Sequence, residues 1–160
     1  MQQYGHNFYI ASLPRSRSAW LANLFTTGDS FCYHEILGRK GGLPKRAEKY
    51  VGSTETCIHL IPENEKTLIV HRDVEDCILS LNNSFDIPSD AVPFLEESMR
   101  NNAVLLRDIK GLHISFNDIE NNIERIWSYL LPSIPLDVDR VEEMMRMNVQ
   151  IHTTDIMEVF

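Results

Sequence analysis

Residues 8–25, FYIASLPRSRSAWLANLF, constrain the fold of this chain more than any other stretch. Three β-prone residues, Phe8, Tyr9 and Ile10, run into Leu13-Pro14, where a regular strand must stop. Arg15, Ser16, Arg17 and Ser18 follow, and then Trp20, Leu21, Leu24 and Phe25 recur at the spacing of one helical face. The stretch predicts strand, tight loop and helix. A loop of this kind aims backbone N–H groups and the positive end of a helix dipole at one point, which suits a phosphate or sulfate. Ser18 is placed to cap the helix, and Arg15 and Arg17 add fixed positive charge beside it. Taken alone, the same residues also read as a surface turn with two solvated arginines.

The common nucleotide loop, G-x-x-x-x-G-K-[ST], needs two glycines and a lysine ahead of a hydroxyl that holds Mg²⁺. Residues 13–18 contain no glycine and no lysine, which argues against a P-loop kinase.

The chain of 160 residues is long enough for one domain, residues 1–160, with a core of its own. No apolar run reaches the length of a membrane span, and the N-terminus lacks a signal-peptide core, so a cytoplasmic protein is expected. Cys32, Cys57 and Cys77 are odd in number and lie in or beside apolar segments, as buried reduced thiols do. Their spacing and that of the histidines suggests no zinc site. The net charge of −8 is unevenly spread: residues 1–50 carry seven Lys/Arg against three Asp/Glu, and the remainder is strongly acidic. An acidic whole argues against nucleic acid as partner, and a basic first third fits a local anion site.

Further along, Phe31-Cys32-Tyr33 reads as a buried strand that ends in His34-Glu35, a polar pair on the ligand edge of an α/β sheet. The glycine-rich basic stretch 38–46 is either a mobile lid over an anion or a plain connection. A strand is predicted over Thr56-Cys57-Ile58-His59-Leu60, and a clearer one over Thr67-Leu68-Ile69-Val70-His71. The latter runs straight into a helix with Val74, Cys77, Ile78 and Leu81 on one face. Residues 88–110 predict a long amphipathic helix with Phe94, Leu95, Met99, Val104, Leu105 and Ile109 as its core side. A strand over 112–116, a helix capped by Asn117-Asp118-Ile119 with Ile123, Ile126, Trp127 and Leu130 inward, and a last helix over 138–147 complete the pattern. The fold class is α/β, with a central, mostly parallel sheet of about four or five strands flanked by helices.

Two motifs in this order resemble those of the sulfotransferases. Their 5′-phosphosulfate loop runs approximately Pro-Lys/Arg-Ser-Gly-Thr/Ser-Thr-Trp/Leu. Pro14, Arg15, Ser16, Ser18 and Trp20 match it, with Arg17 in place of the glycine and Ala19 where many members have threonine. Their second motif, approximately Arg-x-Pro-x-Asp-x-x-x-Ser, is matched by Arg72, Asp76 and Ser80, with Val74 for the proline. Phe116-Asn117-Asp118-Ile119 is a softened form of a further Tyr-Glu-Asp-Leu-like segment. The resemblance runs from Phe8 to about Asn148 and implies a P-loop-NTPase-like three-layer fold. The family's C-terminal Arg-Lys-Gly-like element has no counterpart near the end of the chain; Arg39-Lys40-Gly41 has the letters in another place.

The resemblance also implies an activity: transfer of a sulfuryl group from 3′-phosphoadenosine 5′-phosphosulfate (PAPS) to a hydroxyl or amine of a small-molecule or carbohydrate acceptor, with no metal. Arg15, Arg17 and Ala19, with Ser16 and Ser18, would hold the 5′-phosphosulfate, Trp20 would stack on adenine, and Arg72 and Ser80 would grip the 3′-phosphate. Arg72 otherwise reads as a cap-region ion pair with Asp76. The base for the acceptor is Glu35 or His59, the latter in a segment resembling the Thr-His-Leu-Pro element of cytosolic members. Without function these are a solvated carboxylate and a core histidine. His71 reads as structural. A member that binds nucleotide or a partner protein without catalysis is the other reading, and the oligomeric state is open.

Overall fold

The structure is a computed structural model that describes residues 5–147. Any C-terminal counterpart of the Arg-Lys-Gly-like element beyond Met147 lies outside the described residues.

Five parallel strands form one sheet: β1 (His6–Ser12), β2 (Ser30–His34), β3 (Tyr50–Glu55), β4 (Lys66–His71) and β5 (Leu112–Ser115), in the order β2-β3-β1-β4-β5. Helices α1 (Ser18–Leu24), α2 (Leu37–Lys40), α3 (Val74–Ser84), α4 (Val92–Asp108), α5 (Ile123–Leu130) and α6 (Val138–Arg146) flank it. Strand alternation divides them between the two faces. Phe8 and Ile10 of β1 pack with Leu21 and Phe25 of α1, Ile126 and Trp127 of α5 and Met144 of α6. Ala11, on the opposite face, packs with Val74 and Cys77 of α3 and Met99 and Leu106 of α4. Tyr9 lies on that second face too, against Ile36 and Leu37 at the start of α2. The result is the expected α/β fold in three layers, consistent with a P-loop-like architecture.

Both strands that introduce the matched motifs sit at the middle of the sheet. From β1 the chain travels towards β2 at one edge, and from β4 it travels towards β5 at the other. Connections that diverge in this way open a crevice at the C-terminal ends of the two strands, where ligands of such sheets bind.

Several local expectations differ from the structure. The strand predicted over 56–60 is a 3₁₀ turn, Ile58–Leu60, and the strand proper is the preceding YVGSTE of β3. All six residues of β3 are buried, although Gly52, Ser53, Thr54 and Glu55 give it little apolar signal. Gly52 is there because the Phe8 ring occupies the space: a Cβ at position 52 would lie 2.3 Å from it. Ser18 is the first residue of α1 and makes no cap; Arg17 takes the N-cap position in a left-handed conformation. The long helix starts at Val92 and buries only Met99 and Leu106 fully, leaving Phe94 75% exposed with Val104 and Leu105 also outside. It lies against α3 on a stripe narrower than its apolar composition implied. Asn117-Asp118-Ile119 forms part of two short 3₁₀ turns, and α5 begins only at Ile123. The stretch 38–46 is not loop throughout: its first three residues belong to α2, which Lys40 ends, and Gly41 turns left-handed at φ 71°.

Candidate anion-binding and base site

At the crevice lies a cavity of about 400 Å³. Its wall comprises Pro14, Arg15, Arg17, Ser18, Ala19 and Trp20 from the loop after β1, and His34 and Glu35 from the end of β2. Thr56 follows β3, Arg72 follows β4, Ser80, Leu81 and Phe85 come from α3 and its end, and Phe116 follows β5. Every strand of the sheet thus delivers residues to it from its C-terminal end.

The loop after β1 achieves without glycine what glycine-rich loops achieve. Arg15 and Arg17 both have left-handed backbones, φ 65° and 62°, on either side of Ser16, whose φ is negative. Alternation of this kind turns successive N–H groups inwards and makes an anion-binding concavity. A left-handed non-glycine residue costs about 1 kcal/mol or more, so the surroundings must hold it. They do. Arg72 Nη1 donates to the Arg15 carbonyl, Arg15 Nε donates to Ser80 Oγ (3.1 Å), and Arg15 Nη2 donates to Ser84 Oγ (2.9 Å). Arg17 donates to Glu120 at 3.1 Å, and its guanidinium lies 4.1 Å over the Trp20 ring. The Arg72 guanidinium does not pair with Asp76; it lies 4.0 Å over Phe116, and its Nε is buried with no hydrogen-bond partner. A buried, unsatisfied guanidinium N–H beside a cavity is a donor held ready for an acceptor.

The two sequence motifs therefore meet, with Arg15, Arg72 and Ser80 in direct contact across 57 to 65 positions of chain. Two members of the predicted set depart from their expected roles. Ser16 is fully buried, directs its hydroxyl at Cys77 Sγ (3.9 Å) and is not part of the cavity wall. Trp20 is 3% exposed, and its indole N–H donates to the Met144 carbonyl at 2.8 Å. With one face under Arg17, it ties the loop to α6 and is not the open platform that stacking on adenine requires.

The candidate bases separate cleanly. His59 lies exposed on the 3₁₀ turn and is not part of the cavity wall. Glu35 is in the wall, one residue beyond β2, again with a left-handed backbone (φ 56°). Its own N–H donates to the Thr54 carbonyl (2.8 Å), its Oε1 accepts the Thr56 N–H (3.0 Å), and its carbonyl accepts from Arg39 Nε (3.3 Å). Burial pushes its carboxyl up to about 7, against the opposing effect of the Thr56 hydrogen bonds and with help from the nearby Glu55. A carboxylate poised near neutrality is suited to take a proton and give it back. His34 is its complement. Burial, with Arg39 nearby, holds its imidazole down to about 4, so it is neutral at pH 7, with Nδ1 2.8 Å from Thr54 Oγ1. His71 lies outside the wall, its Nε2 2.7 Å from His113 Nδ1.

Sequence reasoning missed Thr56, Leu81, Phe85 and Phe116 in the wall. The sequence pattern assigns Thr56 to a strand, Leu81 to a helix face and Phe116 to a strand end, and Phe85 carries no signal of its own. Compared with known proteins, the chain matches no family model and no curated sequence.

Proposed function

We propose that this protein transfers a sulfuryl group from PAPS to an acceptor hydroxyl or amine. The observation that carries the reading is the single cavity joining three arginines to one carboxylate of near-neutral proton affinity. Its residues fit the donor. The alternating loop and Arg15 suit the 5′-phosphosulfate, and Arg72, with an unsatisfied buried N–H, suits a second phosphate near Ser80. When bound, the donor supplies the sulfuryl group and departs as adenosine 3′,5′-bisphosphate (PAP).

The chain's own contribution is positioning and charge. Arg15 and Arg17 line the cavity and would stabilise the negative charge of a departing 5′-phosphate, since preorganised cations act on developing charge without having to reorganise. Glu35 takes the acceptor's proton at a carboxylate oxygen. Neutral His34 beside it adds no positive charge that would weaken that base. Leu81, Phe85 and Phe116 add apolar surface to the cavity wall.

Calorimetric titration with PAP, AMP and ATP·Mg²⁺ tests the donor assignment. PAP should bind at least about tenfold tighter than AMP, equivalent to roughly 1.4 kcal/mol, and Arg72→Ala should abolish the difference. Equal affinity for PAP and AMP would remove the PAPS assignment. PAP binding without sulfuryl transfer, and indifferent to Glu35→Gln, would make the protein a nucleotide-binding member without catalysis.

A further inference from the structure

Glu55, the last residue of β3, is wholly buried. It shares the α2 side of the sheet with Ser53 and with Tyr9, whose backbone is in register with Ser53. Its Oε1 accepts two hydrogen bonds, one from Ser53 Oγ at 2.6 Å and one from the Leu37 backbone N–H at 2.9 Å. Neither donor is charged. Its Oε2 is buried with no hydrogen-bond partner. Burying a carboxyl this way is expensive, and a strand end has cheaper residues to offer, so the position calls for a function.

Leu37 supplies that function's address. It is the first residue of α2 and lies two positions after Glu35. The backbone between them must pass from the left-handed Glu35 into a helix, a route that nothing in local propensity favours. Glu55 anchors the far end of this turn, while the Thr54 carbonyl and the Thr56 N–H hold Glu35 itself. Three consecutive residues of β3 and its exit, 54 to 56, thus fix the Glu35 turn from three directions.

We infer that Glu55 is a positioning residue for the site: it holds the Glu35 turn through Leu37, and it places a second buried carboxyl close to that of Glu35. The effect of Glu55 on Glu35 is in the upward direction, secondary to burial and opposed by Arg39 on α2. The other titratable groups close to Glu55 are Tyr9 from β1, Cys32 from β2 and Cys57 just after β3, and Glu65 acts on Tyr9 from beside β4. Burial raises Tyr9, Cys32 and Cys57, so none of the three carries charge at pH 7.

The test is a ¹³C-carboxyl NMR titration of the intact chain, with Glu35 assigned by its loss in Glu35→Gln. Glu55→Gln keeps an acceptor for Ser53 and Leu37 and removes the acid. It should lower the Glu35 midpoint by about half a pH unit or more. An unchanged midpoint in the folded variant overturns the electrostatic role. Glu55→Asp keeps the acid but draws it back from Leu37, and should speed hydrogen exchange of the Leu37 amide by about tenfold or more. An unaltered rate overturns the anchoring role, and this variant also serves if Glu55→Gln does not fold. The inference rests on Glu35 being the base, yet the outcomes stay distinguishable. Loss of PAP selectivity removes the donor reading and leaves the titration standing, whereas an unshifted titration does the reverse.

Discussion

His34 and Glu35 are adjacent in the chain, and burial moves them in opposite directions. The carboxyl is raised from 4.5 to about 7, so its contribution to stability is fully present below 4.5 and is lost as pH rises through 7. The imidazole is lowered from 6.5 to about 4, so its contribution is present above 6.5 and is lost as pH falls through 4. Glu35→Gln should therefore match wild type in stability near pH 4.5 and exceed it above pH 7. The gain expected from the shift is about 1–3 kcal/mol. Urea unfolding at several pH values measures it, and a pH-independent difference would mean that Glu35 ionises as easily in the folded chain as in water. If Glu35 is the base proposed above, its ionised state lowers stability, the usual trade between stability and function.

At the scale of elements, what could be read from sequence followed the strength of the apolar signal. β1, β4 and α5 are continuous or cleanly periodic runs; the two strands lie where expected, and α5 buries the expected residues although it begins later. β3 was displaced by several residues because its buried positions are filled by small and polar side chains, each serving a neighbour rather than itself. Gly52 admits Phe8, Thr54 meets His34, and Glu55 reaches α2. The residue types of the loop after β1 gave its place between strand and helix and the charge it brings to the cavity. Its left-handed arginines were not legible, because that conformation is imposed by Arg72 and α3, which lie far along the chain. Gly52→Ala gives a direct check on the β3 account. A methyl 2.3 Å from a fully buried ring has nowhere to go, so the variant should lose about 1–3 kcal/mol or more in denaturant unfolding. A neutral result would mean that Phe8 has free space that its burial denies.

For the molecule as a whole, the strand order β2-β3-β1-β4-β5 means that the first strand made must wait for both of its neighbours. Both neighbours of β1 arrive much later in the chain: β3 begins at Tyr50 and β4 at Lys66. Loop-closure entropy must be overcome before either pairing contributes, which places such a sheet among the slower folders of its size. The arginine loop is coupled to this delay. Its strained backbone is held by Arg72, Ser80 and Ser84, so until β4 and α3 have docked there is nothing to keep it in shape. On refolding by dilution, capacity to bind PAP should recover no faster than the burial of Trp127 fluorescence, with no early binding phase. An early phase would mean that residues 13–18 hold their curl unaided. During synthesis the same dependence leaves a nascent chain ending before residue 84 without the contacts that shape the loop, so the proposed donor site would be absent from a ribosome-bound fragment.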